Sequence, residues 1–242
     1  MRQSRIYTPQ TLLSGDSIEL EGPACHYLSR VLRVSEGDAV TVFNGDGRDY
    51  AGVVYAVQRQ RVQVRLGTGH RVENESPLKI TLVQAISRGE RMDYSLQKAT
   101  ELGVDCIQPV ISRRVEVRLD EKRRAKRISH WQGVVIAACE QSGRAVVPEV
   151  KTPLLLDDWA QRSDVSPRLV LDPGAVPGLS SFTIEEHAVS LLVGPEGGFS
   201  EEELQSLYAK GVTAVSLGPR VLRTESAGPA AIAILQAIAG DL

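Results

Sequence analysis

Cysteine and aromatic residues are scarce in this 242-residue sequence, which has three cysteines and 5% aromatics. Cys25, Cys106 and Cys139 are widely spaced and match no zinc or C-x-x-C pattern, which argues against a disulfide framework and a structural zinc site. The sequence also lacks an apolar run long enough to cross a bilayer and an apolar signal segment at its N-terminus. These absences predict reduced thiols in a cytoplasmic protein.

The common signatures of nucleotide-binding and hydrolytic enzymes are absent as well. Neither G-x-G-x-x-G nor G-x-x-x-x-G-K-[ST] occurs, so the usual dinucleotide and P-loop sites are not expected. H-E-x-x-H and G-x-S-x-G are also missing, and four scattered histidines form no metal-ligand cluster. We therefore expect no metal site and no nucleophile elbow.

Lysine is absent from the first 72 residues, where nine arginines face seven acidic residues for a net charge of +2. The remaining 170 residues carry 19 basic and 23 acidic groups, a net charge of −4. Arginine offers a planar fork for phosphate and stacks on bases, which lysine does not. This bias is typical of RNA contact, and a coding bias toward arginine explains it equally well.

Residues 1–72 have the pattern of a small β domain. Short segments are β-branched or alternate with a period of two, and a Gly-rich turn separates two of them. The predicted strands are 17–20, 39–44, 50–57 and 61–66, with a helical interruption at about 24–33. Short strands joined by glycine turns favour a small barrel.

Two sets of arginines in this domain are candidates for RNA binding. The period of two places Arg59, Arg61 and Arg65 on one strand face, which is either a solvated outer face or a phosphate-tracking surface. Arg30 and Arg33 lie three residues apart on the predicted helix and so point in similar directions.

After a polar linker at 73–77, predicted strands alternate with predicted helices. The strands include 79–84 and 105–110, and the helices are 90–102, about 120–140, 200–210 and 224–239. Ser200 and Glu203 fit a capping box, and Thr224 is the predicted N-cap of the last helix. This alternation predicts an α/β domain with a mostly parallel sheet. The apolar last helix should be buried against the sheet or a second subunit.

Three apolar runs of this domain end in similar turns, at Asp172-Pro-Gly, Gly194-Pro-Glu and Gly218-Pro. Proline ends the strand, and glycine lets the backbone approach a ligand closely. If the three strands are neighbours, their loops form a crevice at the carboxyl edge of the sheet. The charged residues that could point into it are Glu196, Arg220, Arg223, Glu225, and Glu140 with Arg144.

A second basic stretch covers residues 113–127, with eight basic and three acidic residues. Such a run is either a solvated helix face or a phosphate contact beside the crevice, and the charge pattern favours neither.

Two segments, 194–198 and 217–225, resemble the cofactor-binding signature of the SPOUT methyltransferases. Other segments resemble one branch of that superfamily, the RsmE family of ribosomal RNA small-subunit methyltransferases. The matching segments are 5–7, 26 with 30–33, 87–90, 97–103 and 137–144. The resemblance therefore covers nearly the whole chain.

This resemblance implies a PUA-like β-barrel domain at 1–72 and a SPOUT-type α/β domain at 73–242. The second domain would contain a deep trefoil knot, bind S-adenosylmethionine and form a homodimer. The implied reaction is methylation of N3 of a uridine near the decoding centre of 16S rRNA.

The resemblance also assigns candidate site residues. Glu225 is the first candidate for the general base and Glu140 the second, while Arg223 would stabilise developing negative charge. The expected cofactor-binding residues are Leu171, Asp172, Gly194, Pro195, Glu196, Gly197, Leu217, Gly218, Leu222, Thr224 and Ala227. The expected RNA-binding residues are Arg5, Arg30, Arg33, Arg59, Arg61, Arg114, Arg144 and Arg220.

Two other functions are compatible with the sequence. One is a related SPOUT enzyme that methylates a ribose 2′-hydroxyl or a different base. The other is a non-enzymatic PUA-like RNA-binding protein whose second domain serves assembly, which would not bind S-adenosylmethionine.

Overall fold

The computed structural model describes residues 4–114, 121–162 and 166–242. The chain divides into two compact units. The first contains Met1–Glu75 and Cys139–Val147, and the second contains Ser76–Ala138 and Pro148–Leu242. The segment 139–147, which the sequence pattern places in the second domain, thus packs with the first unit.

The first unit is built on a five-stranded sheet. Its elements are β1 (Ser4–Tyr7), β2 (Ser17–Glu21), α1 (Gly22–His26), which continues as a π-helix (Tyr27–Leu32), β3 (Ala39–Phe43), β4 (Arg48–Val57) and β5 (Arg61–Arg71). The strand order is β1-β3-β4-β5-β2, with β1 parallel to β3 and the other pairs antiparallel. The four predicted strands and the helical interruption are confirmed, whereas β1 was not predicted because four residues carry too little pattern.

The alternation on β5 separates a core face from a solvent face. Val62, Val64 and Leu66 are buried in the core of this unit, while Arg61 and Arg65 are exposed. The predicted arginine face is therefore confirmed as an outer face of the sheet.

The second unit has a seven-stranded sheet. Its strands are β6 (Lys79–Ala85), β7 (Cys106–Ile111), β8 (Glu149–Val150), β9 (Leu154–Leu155), β10 (Arg168–Leu171), β11 (Ala188–Val193) and β12 (Thr213–Val215). The order is β12-β10-β11-β6-β7-β8, with β9 also paired to β7, and every pairing is parallel. The predicted parallel α/β architecture is confirmed.

Helices connect these parallel strands. They are α2 (Glu90–Glu101), α3 (Glu121–Ser142), α4 (Leu156–Ala160), a 3-10 turn (Leu179–Ser181), α5 (Glu201–Ala209) and α6 (Thr224–Ala239). The capping box at Ser200 is present, since its hydroxyl accepts from the Glu203 N–H while the Glu203 carboxylate accepts from the Ser200 N–H. The predicted start of α3 at residue 120 lies outside the described residues.

The last helix was predicted with the correct bounds but the wrong cap. Arg223 holds the N-cap position of α6, with no side-chain cap hydrogen bond, and Thr224 is the first helical residue. One side of α6, including Ala231, Ile232 and Leu235, is fully buried against α2 and the sheet. Within the described ranges, no helix has the length and apolar character needed to span a membrane.

Candidate active site

A pocket of about 340 Å³ opens at the carboxyl edge of the second unit's sheet. The strands β10, β11 and β12 are neighbours, and the loops after all three line the pocket together with Arg91 of α2. The predicted crevice is therefore confirmed. Parallel strands produce it because their carboxyl ends lie at the same edge, where the order of strands reverses.

Most of the residues predicted to hold a cofactor line this pocket. They are Leu171, Asp172, Gly194, Pro195, Glu196, Leu217, Leu222, Thr224 and Ala227. Gly197 and Gly218 belong to the same loops but are not among the lining residues. The pocket brings these side chains together, and their contact with a cofactor stays a prediction.

A buried hydrogen-bond relay holds the loop after β11. The Thr224 hydroxyl donates to the Gly194 carbonyl oxygen at 2.6 Å and accepts from Gln84 Nε2 at 3.1 Å. A side chain at Gly194 would not fit easily, because a Cβ would lie 3.2 Å from the ring of Phe199. Gln84 is fully buried on β6 and gave no sequence signal as a site residue.

The loop after β10 is held by Asp172. One carboxylate oxygen accepts from the Gly174 N–H at 2.9 Å, and the other accepts from the Tyr208 hydroxyl at 2.8 Å. Burial and this hydrogen bond raise the pKa of Tyr208 to about 12, so the phenol remains a donor. Tyr208 lies on α5, and its helical position alone did not predict this contact.

The loop after β11 also places Glu196 beside α2. Its Oε1 accepts from the Arg88 N–H at 3.0 Å and from Arg91 Nη1 at 3.1 Å. Burial opposes ionisation, but the hydrogen bonds from Arg88, from its own N–H and from Arg91 hold the pKa of Glu196 below its usual value. The pocket therefore carries a fixed negative charge at this edge.

Glu225 is the acidic residue at the start of α6. Its side chain is 17% exposed, and its Oε2 is buried with no hydrogen-bond partner among the residues that the structure describes. Arg91 Nε is 3.9 Å from Glu225 Oε1. A buried carboxylate oxygen without a donor is costly, which makes it a candidate for contact with a ligand proton.

Three cationic side chains complete the pocket lining: Arg91, Arg220 and Arg223. Arg220 and Arg223 are exposed on the loop between β12 and α6. Arg91 was missed by the sequence analysis, although it directly follows the 87–90 segment after β6. Strand β6 is the neighbour of β11 in the sheet, so the position of Arg91 shortly after β6 could have indicated a pocket residue.

The first part of the second basic stretch supports the glycine loop. Arg114 Nη1 donates to the Gly197 carbonyl oxygen. The Arg113 N–H donates to the buried Glu203 carboxylate at 2.8 Å, and the Arg113 guanidinium pairs with Glu202. These contacts anchor the loop after β11. They do not test RNA binding, so the predicted RNA contact of Arg114 stays a prediction. Residues 115–120 of this stretch lie outside the described residues.

Glu140, the second candidate base, belongs to the first unit. Its carboxylate accepts from the Tyr7 N–H at 3.0 Å. Burial raises the pKa of Glu140, while the Tyr7 hydrogen bond and the charge of Arg5 oppose that increase. Glu140 is not among the residues that line the pocket, and its catalytic role stays a prediction.

Arg5 and Arg144 have structural contacts in the first unit. Arg5 pairs with both oxygens of Asp49, donates to the Cys139 carbonyl oxygen at 2.7 Å and is 9% exposed. Arg144 is buried and forms a bidentate pair with Glu75. These engaged guanidinium groups favour a structural role over RNA contact, which stays a prediction for both residues.

The other predicted RNA-binding arginines of the first unit are exposed. Arg30 and Arg59 line a shallow depression together with His26. Arg33 ends the π-helix in a left-handed conformation with φ of 54°. Arg61 pairs with Glu19 at 3.3 Å on the outer sheet face. In the described ranges, no group of three or more His, Cys, Asp or Glu could hold a metal ion.

Comparison with known proteins identifies the family. Residues 74–236 match the RNA methyltransferase domain family, and residues 20–67 match the RNA methyltransferase PUA domain family. Ribosomal RNA small subunit methyltransferase E of Buchnera aphidicola (from Schizaphis graminum) is 34% identical over 100% of this chain and 98% of its own. This chain belongs to the RsmE family.

Solved structures agree with that membership. An RsmE from Neisseria gonorrhoeae, bound to S-adenosylmethionine, matches with a TM-score of 0.94 and 40% identity over 99% of both chains. A Legionella pneumophila protein described as a methyltransferase, in complex with the same cofactor, has a TM-score of 0.96 and 41% identity over 100% of both chains. The RsmE fold prediction, a PUA domain with a parallel-sheet methyltransferase domain, is confirmed, while the knot stays a prediction.

Proposed function

We propose that this RsmE protein uses S-adenosylmethionine to methylate N3 of a uridine in 16S rRNA of the small ribosomal subunit. The observation that carries the proposal is the three-loop pocket, which holds a carboxylate oxygen of Glu225 that has no hydrogen-bond partner among the described residues. The RsmE of Neisseria gonorrhoeae, 40% identical, was solved with S-adenosylmethionine bound. The name of that relative supports ribosomal RNA of the small subunit as the substrate.

The residues of the pocket fit this cofactor. Leu171, Leu217 and Leu222 offer an apolar surface for adenine, and Asp172 and Glu196 offer acceptors for hydroxyl and amino groups. Bound S-adenosylmethionine supplies an already activated methyl group, so the protein mainly has to position the two reactants.

Glu225 accepts the proton of the substrate. Uridine N3 carries a proton on its pairing edge, so the base must be unpaired when it enters the pocket. Methyl transfer to N3 breaks the carbon–sulfur bond, and its electron pair stays on the sulfur of the departing thioether. The N3–H bond breaks and the proton passes to the Glu225 carboxylate, typically a contribution of ~10²–10⁴ in rate. Arg223 or Arg220 stabilises the negative charge that develops on the uracil.

The two parts of the chain have different tasks in this proposal. Residues 1–72 bind RNA through Arg30, Arg33 and Arg59, and residues 73–242 hold the cofactor and form a knotted homodimer. The exposed guanidinium groups of the first unit support this division, because phosphate contacts supply most sequence-independent RNA affinity. We place this activity in the cytoplasm, in keeping with the three free cysteines.

The direct test is product analysis. Purified protein is incubated with unmodified small ribosomal subunits, or with free 16S rRNA, and labelled S-adenosylmethionine, and the digested nucleosides are identified by mass spectrometry. N3-methyluridine is expected. A ribose-methylated nucleoside or another methylated base would show that the methylated atom is not uridine N3. Absence of labelled product with both RNAs, together with no cofactor binding in calorimetry, would favour the non-enzymatic RNA-binding function.

A further inference from the structure

The guanidinium of Arg91 lies between two carboxylates at the edge of the pocket. Its Nη1 donates to Glu196 Oε1 at 3.1 Å, and its Nε is 3.9 Å from Glu225 Oε1. Arg91 stands on the first turn of α2, whereas the acidic residues come from the loop after β11 and the start of α6. One cation is thus shared by two acidic groups from separate elements.

The Glu225 carboxylate lies among charged groups of both signs. Its Oε2 is buried without a hydrogen-bond partner in the described part of the chain, and its Oε1 faces the guanidinium of Arg91. The other charged groups that line the same pocket are Asp172, Glu196, Arg220 and Arg223. The contact of Oε1 with Arg91 leaves Oε2 to meet a ligand proton.

We propose that Arg91 is a positioning residue that orients the Glu225 carboxylate as the proton acceptor. This inference rests on the proposed function of Glu225 as the general base. Glu196 serves as the tether, because its hydrogen bond to Nη1 holds the guanidinium of Arg91 with the Nε side toward Glu225. The Arg88 N–H bond to Glu196 fixes that tether in turn.

The geometry favours an electrostatic role for Arg91 over a packing role. Its side chain is 47% exposed, and ion pairs at such sites contribute little to folding. Removal of the guanidinium should therefore change the position of the Glu225 carboxylate much more than the stability of the protein. Lys98, on the same helix but paired with Glu101, provides a matched control.

The first measurement needs neither cofactor nor RNA. Crystal structures of the full-length wild type, Arg91→Met and Lys98→Met proteins are compared at the Glu225 side chain. We expect the Glu225 carboxylate to leave its position in Arg91→Met and to keep it in Lys98→Met. An unchanged Glu225 carboxylate in Arg91→Met would overturn the proposal.

The second measurement is single-turnover methyl transfer with saturating cofactor and RNA. Arg91→Met should lower the rate about 100-fold, because a small misplacement of a reacting group has an effect of that size. The same substitution in a Glu225→Gln background should cause little further loss, because Arg91 acts through Glu225. An equal loss in both backgrounds would show a role independent of Glu225 and contradict the inference. If wild type itself methylates no rRNA, the proposed function fails, whereas the crystal structures still decide whether Arg91 positions Glu225.

Discussion

The hydroxyl of Thr224, at the first turn of α6, donates a 2.6 Å hydrogen bond to the carbonyl oxygen of Gly194, at the end of β11. Both residues line the pocket, Thr224 at the start of α6 and Gly194 in the loop after β11. The bond therefore joins two parts of the pocket lining. Thr224 thus holds the loop after β11, whereas the sequence predicted it as the N-cap of α6 and as a cofactor contact, and the second of these stays a prediction.

Replacing Thr224 by Val keeps the shape of the side chain and removes this donor. The Gly194 carbonyl then loses this donor, while Gln84 Nε2 retains its bond to the Ala85 carbonyl oxygen at 3.1 Å. A buried polar group left without a partner costs about 1–3 kcal/mol. We expect S-adenosylmethionine to bind about tenfold more weakly, measured by calorimetry, since about 1.4 kcal/mol corresponds to that factor. Thr224→Ser retains the hydroxyl and is the control. Equal affinity in Thr224→Val and wild type would show that the relay does not shape the cofactor site.

Replacing Glu225 by Gln tests the general base. We expect the single-turnover rate of methyl transfer to rRNA to fall by ~10²–10⁴, because the amide cannot accept the N3 proton. Cofactor affinity should stay close to wild type. Glu201→Gln, an exposed change on α5, serves as the control for removal of one carboxylate. A full single-turnover rate in Glu225→Gln would remove Glu225 from the mechanism.

Glu140 should make stability depend on pH. Because its pKa is raised in the folded protein, mainly by burial, its stabilising contribution is present at low pH and is lost as pH rises through the folded pKa. Glu140→Gln mimics the protonated form and should unfold at higher urea concentration than wild type at pH 7. The difference should shrink toward pH 4.

The control is Glu73→Gln, since the Glu73 side chain is 82% exposed. If the difference in unfolding midpoint between Glu140→Gln and wild type does not vary with pH, the raised pKa of Glu140 is not its cause. Methyl transfer measured on the same Glu140→Gln protein also tests the second candidate base: a large loss of rate would favour Glu140, and an unchanged rate would favour Glu225.

The exposed arginines of the first unit should supply RNA affinity. Replacing Arg30 and Arg33 by Gln should weaken RNA binding and reduce the slope of log K against log salt by about one for each phosphate that the variant no longer binds. Cofactor affinity should not change. Arg71→Gln is the matched control, because the Arg71 side chain is 81% exposed in the same unit. If filter binding across a salt series shows the same slope for the double variant and wild type, these arginines do not bind phosphate.

Two glycine-to-alanine changes should have opposite effects on stability. Gly103 follows α2 with φ of +86°, and a Cβ there would lie 2.7 Å from Gln236 Nε2, so Gly103→Ala should lower the free energy of unfolding by about 1–3 kcal/mol. Gly133 lies inside α3 with open space around it, so Gly133→Ala should raise stability by about 0.5–1 kcal/mol. Urea unfolding of both variants checks the signs, and a loss of stability in Gly133→Ala would contradict the second.

Much of the architecture could be predicted from local patterns. Alternation located β4 and β5, the capping box located the start of α5, and the Gly-Pro turns located the three pocket loops. These signals are local, because capping, turn geometry and strand alternation depend on residues a few positions apart. The four-residue strand β1 escaped prediction because its pattern is too short.

By itself, the sequence determined most of the elements, the parallel sheet and the family, since each depends on residue types in order along the chain. Only the tertiary structure decided which polar groups meet. Arg91, Glu196 and Glu225 come from three elements, and Thr224 reaches Gly194 across the pocket instead of capping α6. Arg5 likewise pairs with Asp49 inside the first unit. Spacing along the chain does not specify such contacts, because strand order and burial select the partner of each side chain.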